Sequence, residues 1–210
     1  MFRFMLVAFA SGSLATLPLG FAQDGGEPDP YTLDTCPVSG EKLGSMGEPH
    51  VLVHEGRQIK LCCKGCLKEF QKDSAAVLKK IDSALIEDQK KVYPSDKCLV
   101  TGEGLEEMGG AIDFLHRGRL VRFCCKGCIK KFNKDPKKFL GTLDKQVIDG
   151  QKVKYPLQTC VVSGKKLGSM GEPVDVVVAN RLVRLCCKGC VGKLQKDPGT
   201  FLAKLRAEGK

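Results

Sequence analysis

Two short runs of alternating character, Val51 to His54 and Arg57 to Cys62, flank the dipeptide Glu55-Gly56 and predict two strands joined by a tight turn. The same pattern returns around Arg117-Gly118 and again around Ala179-Asn180, and Gly, Gly and Asn at one turn position suit a two-residue hairpin needing positive φ. Beyond each hairpin the apolar period changes. Leu67 and Phe70, Ile129 and Phe132, and Val191 and Leu194 are spaced as one face of a helix. A second helix is predicted after Asp73, Asp135 and Asp197, each a good N-cap, with Pro136 and Pro198 at the first helical position in two copies. Its buried stripe reads Val77, Leu78 and Ile81, then Phe139, Leu140 and Leu143, then Phe201, Leu202 and Leu205. Gly44-Ser45-Met46-Gly47-Glu48-Pro49, which precedes the first hairpin, has too much Gly and Pro for a helix.

The three sets are related by a constant step of 62 residues. Tyr31, Tyr93 and Tyr155 open the copies, and Met46, Met108 and Met170 keep the step. A fixed period marks each copy as one structural unit. The expected fold is therefore α+β: three tandem small modules over residues 31–92, 93–154 and 155–210, each a knuckle, a hairpin and two short helices. No Gly/Ser linker separates them, so they are expected to pack together. Residues 1–22 carry Arg3, an apolar run and a small-residue end, and read as a cleaved secretory signal; residues 23–30 read as a flexible leader. On this reading the chain is exported, periplasmic or secreted, without stable membrane insertion after cleavage.

Modules of about 60 residues bury little apolar surface and usually need metal or disulfides. The chain has no Trp but twelve Cys, four per module. Cys62, Cys63 and Cys66 follow the first hairpin, and Cys36 lies 26 residues before Cys62. Their counterparts are Cys98, Cys124, Cys125 and Cys128, and Cys160, Cys186, Cys187 and Cys190. In Cys36-Pro37-Val38-Ser39-Gly40 a thiol, a tight turn and a permissive Gly describe a knuckle. Cys66 is expected in the first helical turn, where backbone N–H groups and the neighbouring Lys64 favour thiolate. Four such sulfurs can surround one zinc ion at about 2.3 Å. Adjacent Cys62 and Cys63 point to opposite sides of an extended strand, however, so only one of them ligates if the chain stays extended there.

The formal charge is +10, and loss of the signal with its one Arg3 leaves +9. Three four-thiolate sites each holding a divalent ion would carry −2 apiece, bringing the exported chain to about +3. Much of the lysine excess is thus balanced by thiolates, and no nucleic-acid partner is expected.

Cys-Pro-Val-Ser-Gly, a hairpin, Cys-x3-Cys, a helix with Phe, and Asp-Pro together resemble the YHS/TRASH group of treble-clef-like domains, over nearly the whole of each module. The resemblance implies heavy-metal trafficking, resistance or sensing. It places helix-side ligands at Cys62 and Cys66, Cys124 and Cys128, and Cys186 and Cys190, with knuckle ligands at Cys36, Cys98 and Cys160. Two positions depart from the pattern: a Ser common inside Cys-x3-Cys is here Cys63, Cys125 or Cys187, and a second knuckle Cys is Ser39, Thr101 or Ser163.

The functional expectation is a non-enzymatic metal-binding protein taking Zn(II) first and Cu(I) as the alternative, with metal ions and a metal-transport or other exported protein as partners. A zinc- or disulfide-stapled interaction scaffold is the competing reading, and a thiol oxidoreductase built on Cys63-Lys64-Gly65-Cys66 a third. His50, His54 and His116 have apolar counterparts such as Ile112, Val174 and Val178 and are expected to be ordinary strand residues. Met46, Met108 and Met170 are expected to fill gaps over a small core, with a thioether for Cu(I) as the sharper possibility.

Overall fold

A computed structural model describes residues 26–107 and 109–208. The expected signal at 1–22 and Met108 lie outside the described residues. The chain is α+β and consists of three repeated units. The first has strands β1 (His50–His54) and β2 (Arg57–Leu61) and helices α1 (Lys64–Lys72) and α2 (Ser74–Lys90). The second has β3 (Ile112–His116), β4 (Arg119–Phe123), α3 (Lys126–Phe132) and α4 (Pro136–Lys152). The third has β5 (Val174–Val178), β6 (Arg181–Leu185), a 3-10 turn (Lys188–Cys190), α5 (Val191–Lys196) and α6 (Pro198–Glu208). Each strand pair is an isolated antiparallel hairpin, with His54 opposite Arg57, His116 opposite Arg119 and Val178 opposite Arg181.

Both residues of each hairpin turn have positive φ, from 47° at Ala179 to 74° at Gly118, as the type I′ turn demands. The second helices start where the Asp caps place them: the Asp73 carboxylate accepts the Ala76 N–H at 2.9 Å, and Asp135 the Lys138 N–H at 3.2 Å. The predicted stripes face inward, with Val77, Ile81, Leu143, Leu202 and Leu205 buried.

Packing between units is side-chain specific. Helix α2 lies against β4 of the following unit and α4 against β6, so Leu182 of the third unit is buried in the second unit's core. Gln89 near the end of α2 is fully buried: its amide donates to Gly118 O at 2.8 Å and accepts the Leu120 N–H at 2.9 Å. Gln151 on α4 repeats this with Asn180 O at 2.9 Å and Leu182 N at 2.8 Å. In the first unit no helix precedes the hairpin among the described residues, and leader backbone takes over: Asp29 N donates to Gly56 O and Gln58 N to Asp29 O, both at 2.9 Å. A Gln amide and a peptide group offer the same donor and acceptor, so three hairpins are closed by one pattern. Arg117 of the second unit also reaches this segment, binding the Asp29 carboxylate at 2.6 Å and Glu27 O at 2.9 Å.

Helix α6 returns to the first unit. Lys60 reaches Asp197 at 2.6 Å, and Gly199 lies so close to the Tyr31–Leu33 backbone that a Cβ would sit 2.8 Å from Tyr31 O. Its counterparts in the other units are Ala75 and Lys137. No helix among the described residues is long and apolar enough to cross a membrane.

Candidate metal centre

Each unit brings three buried sulfurs together: Cys36, Cys62 and Cys66; Cys98, Cys124 and Cys128; Cys160, Cys186 and Cys190. Within each triad all ligand atoms lie within 4.8 Å of one another. The Cys62–Cys66 sulfurs are 3.6 Å apart, and the Cys124–Cys128 and Cys186–Cys190 sulfurs 3.8 Å. Two thiolates on one zinc ion at tetrahedral angles are separated by about 3.8 Å. These three thiol sets can hold metal ions, and all twelve cysteines are free thiols.

The knuckle delivers the first sulfur. Cys36 N donates to Glu41 O at 2.7 Å and Gly40 N to Cys36 O at 2.8 Å, closing a turn with Gly40 at φ 78°. The same bonds recur at Cys98 with Glu103 and Gly102, and at Cys160 with Lys165 and Gly164. Ser39, at the position of the absent knuckle thiol, supplies a hydroxyl 3.3 Å from the Cys62 sulfur; Thr101 stands 3.6 Å from Cys124 and Ser163 3.2 Å from Cys186. The Ser39 oxygen already accepts the Glu41 N–H, leaving its proton free for sulfur.

The second and third sulfurs come from the junction of strand and helix. Cys63 is extended, at φ −157° and ψ 168°, so Cys62 and Cys63 diverge. Cys62 turns into the core and joins the triad, while Cys63 is half-buried and lies outside it, 3.6 Å from the Cys66 sulfur. Cys125 stands 3.6 Å from Cys128, and Cys187 3.9 Å from Cys186. Each triad therefore has a fourth thiol beside it.

Thiol acidity is divided unequally. Burial pushes Cys36 up, but the Ser39 hydroxyl and the N–H groups of Ser39, Cys62 and Val38 outweigh it and bring the thiol down to about 7. Cys98 and Cys160 are brought down to about 6 by the equivalent contacts against the same burial. Cys66 and Cys190 are pushed up to about 12, first by burial and then by neighbouring sulfurs. The expectation that the helix start favours thiolate at Cys66 is thus corrected. The N–H groups of Cys66 and Gly65 are aimed at Cys63, which they lower, and Lys64 is exposed.

The histidines stand apart from the sulfurs. His54 packs edge-on against Phe70 at 5.1 Å and His116 against Phe132 at 5.2 Å, as strand residues do. The expectation that the methionines fill core gaps is corrected for two of them: Met46 is 65% and Met170 54% exposed, held out on loops whose flanking glycines have positive φ. Sequence reasoning missed Gln89 and Gln151, although both keep the 62-residue step. Comparison with protein-family models, with curated proteins and with solved structures finds no match.

Proposed function

We propose that the chain is an exported, non-enzymatic heavy-metal-binding protein with three tandem thiolate sites, related to YHS/TRASH-type domains and serving metal buffering, trafficking or resistance. The observation that supports this reading best is the threefold recurrence of one buried sulfur triad at metal-bridging separations. Cys36, Cys62 and Cys66 would hold the ion in the first unit, with their counterparts in the others. Zn(II) would take Cys63 as fourth donor, whereas Cu(I) would be satisfied by three thiolates, and both favour sulfur. A bound ion supplies positive charge that holds the sulfurs ionised; Ser39, Thr101 and Ser163 orient one thiolate in each set.

The competing scaffold reading assigns metal only a stapling role. Handling is favoured because the units are also locked by shared apolar cores and by Gln89 and Gln151, contacts that owe nothing to a metal. Metal analysis of the chain purified without oxygen tests the proposal, with about three ions per chain expected. A metal-free protein with its cysteines in covalent pairs overturns it. A mild chelator then separates the readings: release with retained fold supports handling, and unfolding on release supports the scaffold.

A further inference from the structure

The repeat breaks at one charged position on the second helix. Residues 82, 144 and 206 are equivalent, and the first two are aspartates that neutralise the hairpin arginine of their own unit: Arg57 with Asp82, and Arg119 with Asp144 at 2.6 Å. In the third unit the position is Arg206, and the hairpin arginine Arg181 has lost its partner. Both guanidiniums turn instead to Asp88 on α2. Arg181 binds it with two nitrogens at 3.0 Å each, and Arg206 with one at 2.8 Å while also donating to Thr32 O at 3.1 Å. The Arg181 and Arg206 side chains are only 11% and 16% exposed, so two largely buried cations share one carboxylate.

They line a cleft of about 700 Å³ where the ends of α2, α4 and α6 meet, together with Lys91 and Lys154. Glu208 is the one carboxylate in the lining; neither it nor Asp34, which lies near Arg181, forms an ion pair with either arginine among the described residues. Arg206 Nε and Nη1 are closed to solvent and have no hydrogen-bond partner among the described residues, as is true of Arg119 Nη2 in the second unit, so what the two guanidiniums offer the cleft is their charge. Arg181, Arg206, Lys91 and Lys154 outnumber Glu208 in the lining and Asp88 beside the arginines, which leaves the cleft net positive and attractive to an anion. Leu182 and Leu205 form apolar wall, which strengthens any charge pairing beside it.

We propose that this cleft binds a small oxyanion, a phosphate or carboxylate group, seated on Arg181 and Arg206 with Lys91 and Lys154 adding to the attraction. The site is independent of the thiol triads. Titration calorimetry of the full chain, as isolated and with chloride holding ionic strength constant, tests it with inorganic phosphate and separately with acetate. Saturable binding of either at one per chain supports the proposal, and the stronger of the two identifies the group. Arg206→Asp restores the pair that the other units use, so the variant is expected to fold while binding falls at least tenfold. Lys154→Ala, at an exposed position, is expected to weaken binding severalfold without touching the fold. Absence of saturable binding, or affinity unchanged in both variants, overturns it.

Discussion

Cys62 and Cys63 are neighbours in the chain and strangers in the site. Extended backbone sends one sulfur into the core with Cys36 and Cys66 and leaves the other half-buried at the helix start. Cys62→Ser is accordingly expected to empty the first site, lowering the bound metal from about three ions to about two. Cys63→Ser is expected to keep the ion with weakened affinity; equal loss in both variants, read by metal analysis, would contradict the assignment of Cys62 to the triad. Ser39→Ala removes the hydroxyl beside Cys62 and should weaken that site by about 10- to 100-fold in a competitive chelator titration. Acidity gives a second check at this scale. Cys36, Cys98 and Cys160 lie at about 7, 6 and 6 in the folded chain against an ordinary 9.0, so the unfolded state binds more protons between those values. Their contribution to the metal-free fold is complete above the ordinary value and is lost as pH falls through about 7 to 6. Cys66 and Cys190, raised to about 12, act in the opposite sense and withdraw stability as pH climbs from 9.0 towards that value. Thermal unfolding of the metal-free chain should therefore show its highest midpoint near the ordinary thiol range, and a midpoint falling steadily from pH 6 upwards would contradict the shifts.

At the scale of elements, the hairpins depend on what reaches their turns. Each turn exposes one carbonyl and one N–H that its own ladder does not use, and Gln89, Gln151 or the Asp29 backbone takes both. Replacing Gln89 by Ala leaves Gly118 O and Leu120 N unpaired in a buried place, at a cost of about 1–3 kcal/mol. Gln151→Ala should cost a similar amount, and urea unfolding measures both; a change within experimental error would show that water replaces the amide freely. Asn180 is tied into the same network, since it supplies the positive φ of its turn and also donates to Leu120 O at 2.8 Å. Its counterparts Gly56 and Gly118 supply the same backbone conformation but have no side chain to make that bond. The hairpin turn was legible because Gly and Asn are the residues that tolerate this φ. The Gln contacts were not, because a polar residue at the exposed-looking end of a helix is indistinguishable in one dimension from a solvated one.

At the scale of the molecule, three copies of one unit have become unequal where the chain comes back on itself. Asp88 gathers Arg181 and Arg206 from the third unit, and Gly199 lets α6 approach the Tyr31–Leu33 backbone. Asp88→Asn strips the shared counter-charge from two largely buried guanidiniums and should cost on the order of 3 kcal/mol, measured by the same urea titration. An effect below about 1 kcal/mol, the value of an exposed pair, would mean that solvent already screens them. By itself the sequence determined the number of units, their hairpins and helices, and which residues bear sulfur, because φ preference, apolar period and the 62-residue step are local properties of the chain. Only the tertiary structure decided that Cys62 rather than Cys63 enters each triad's pattern, that Met46 and Met170 stand in solvent, and that α2 serves the unit after its own. Those outcomes turn on which side of a strand faces the core and which distant segment covers it, and both are fixed by packing between residues far apart in the chain.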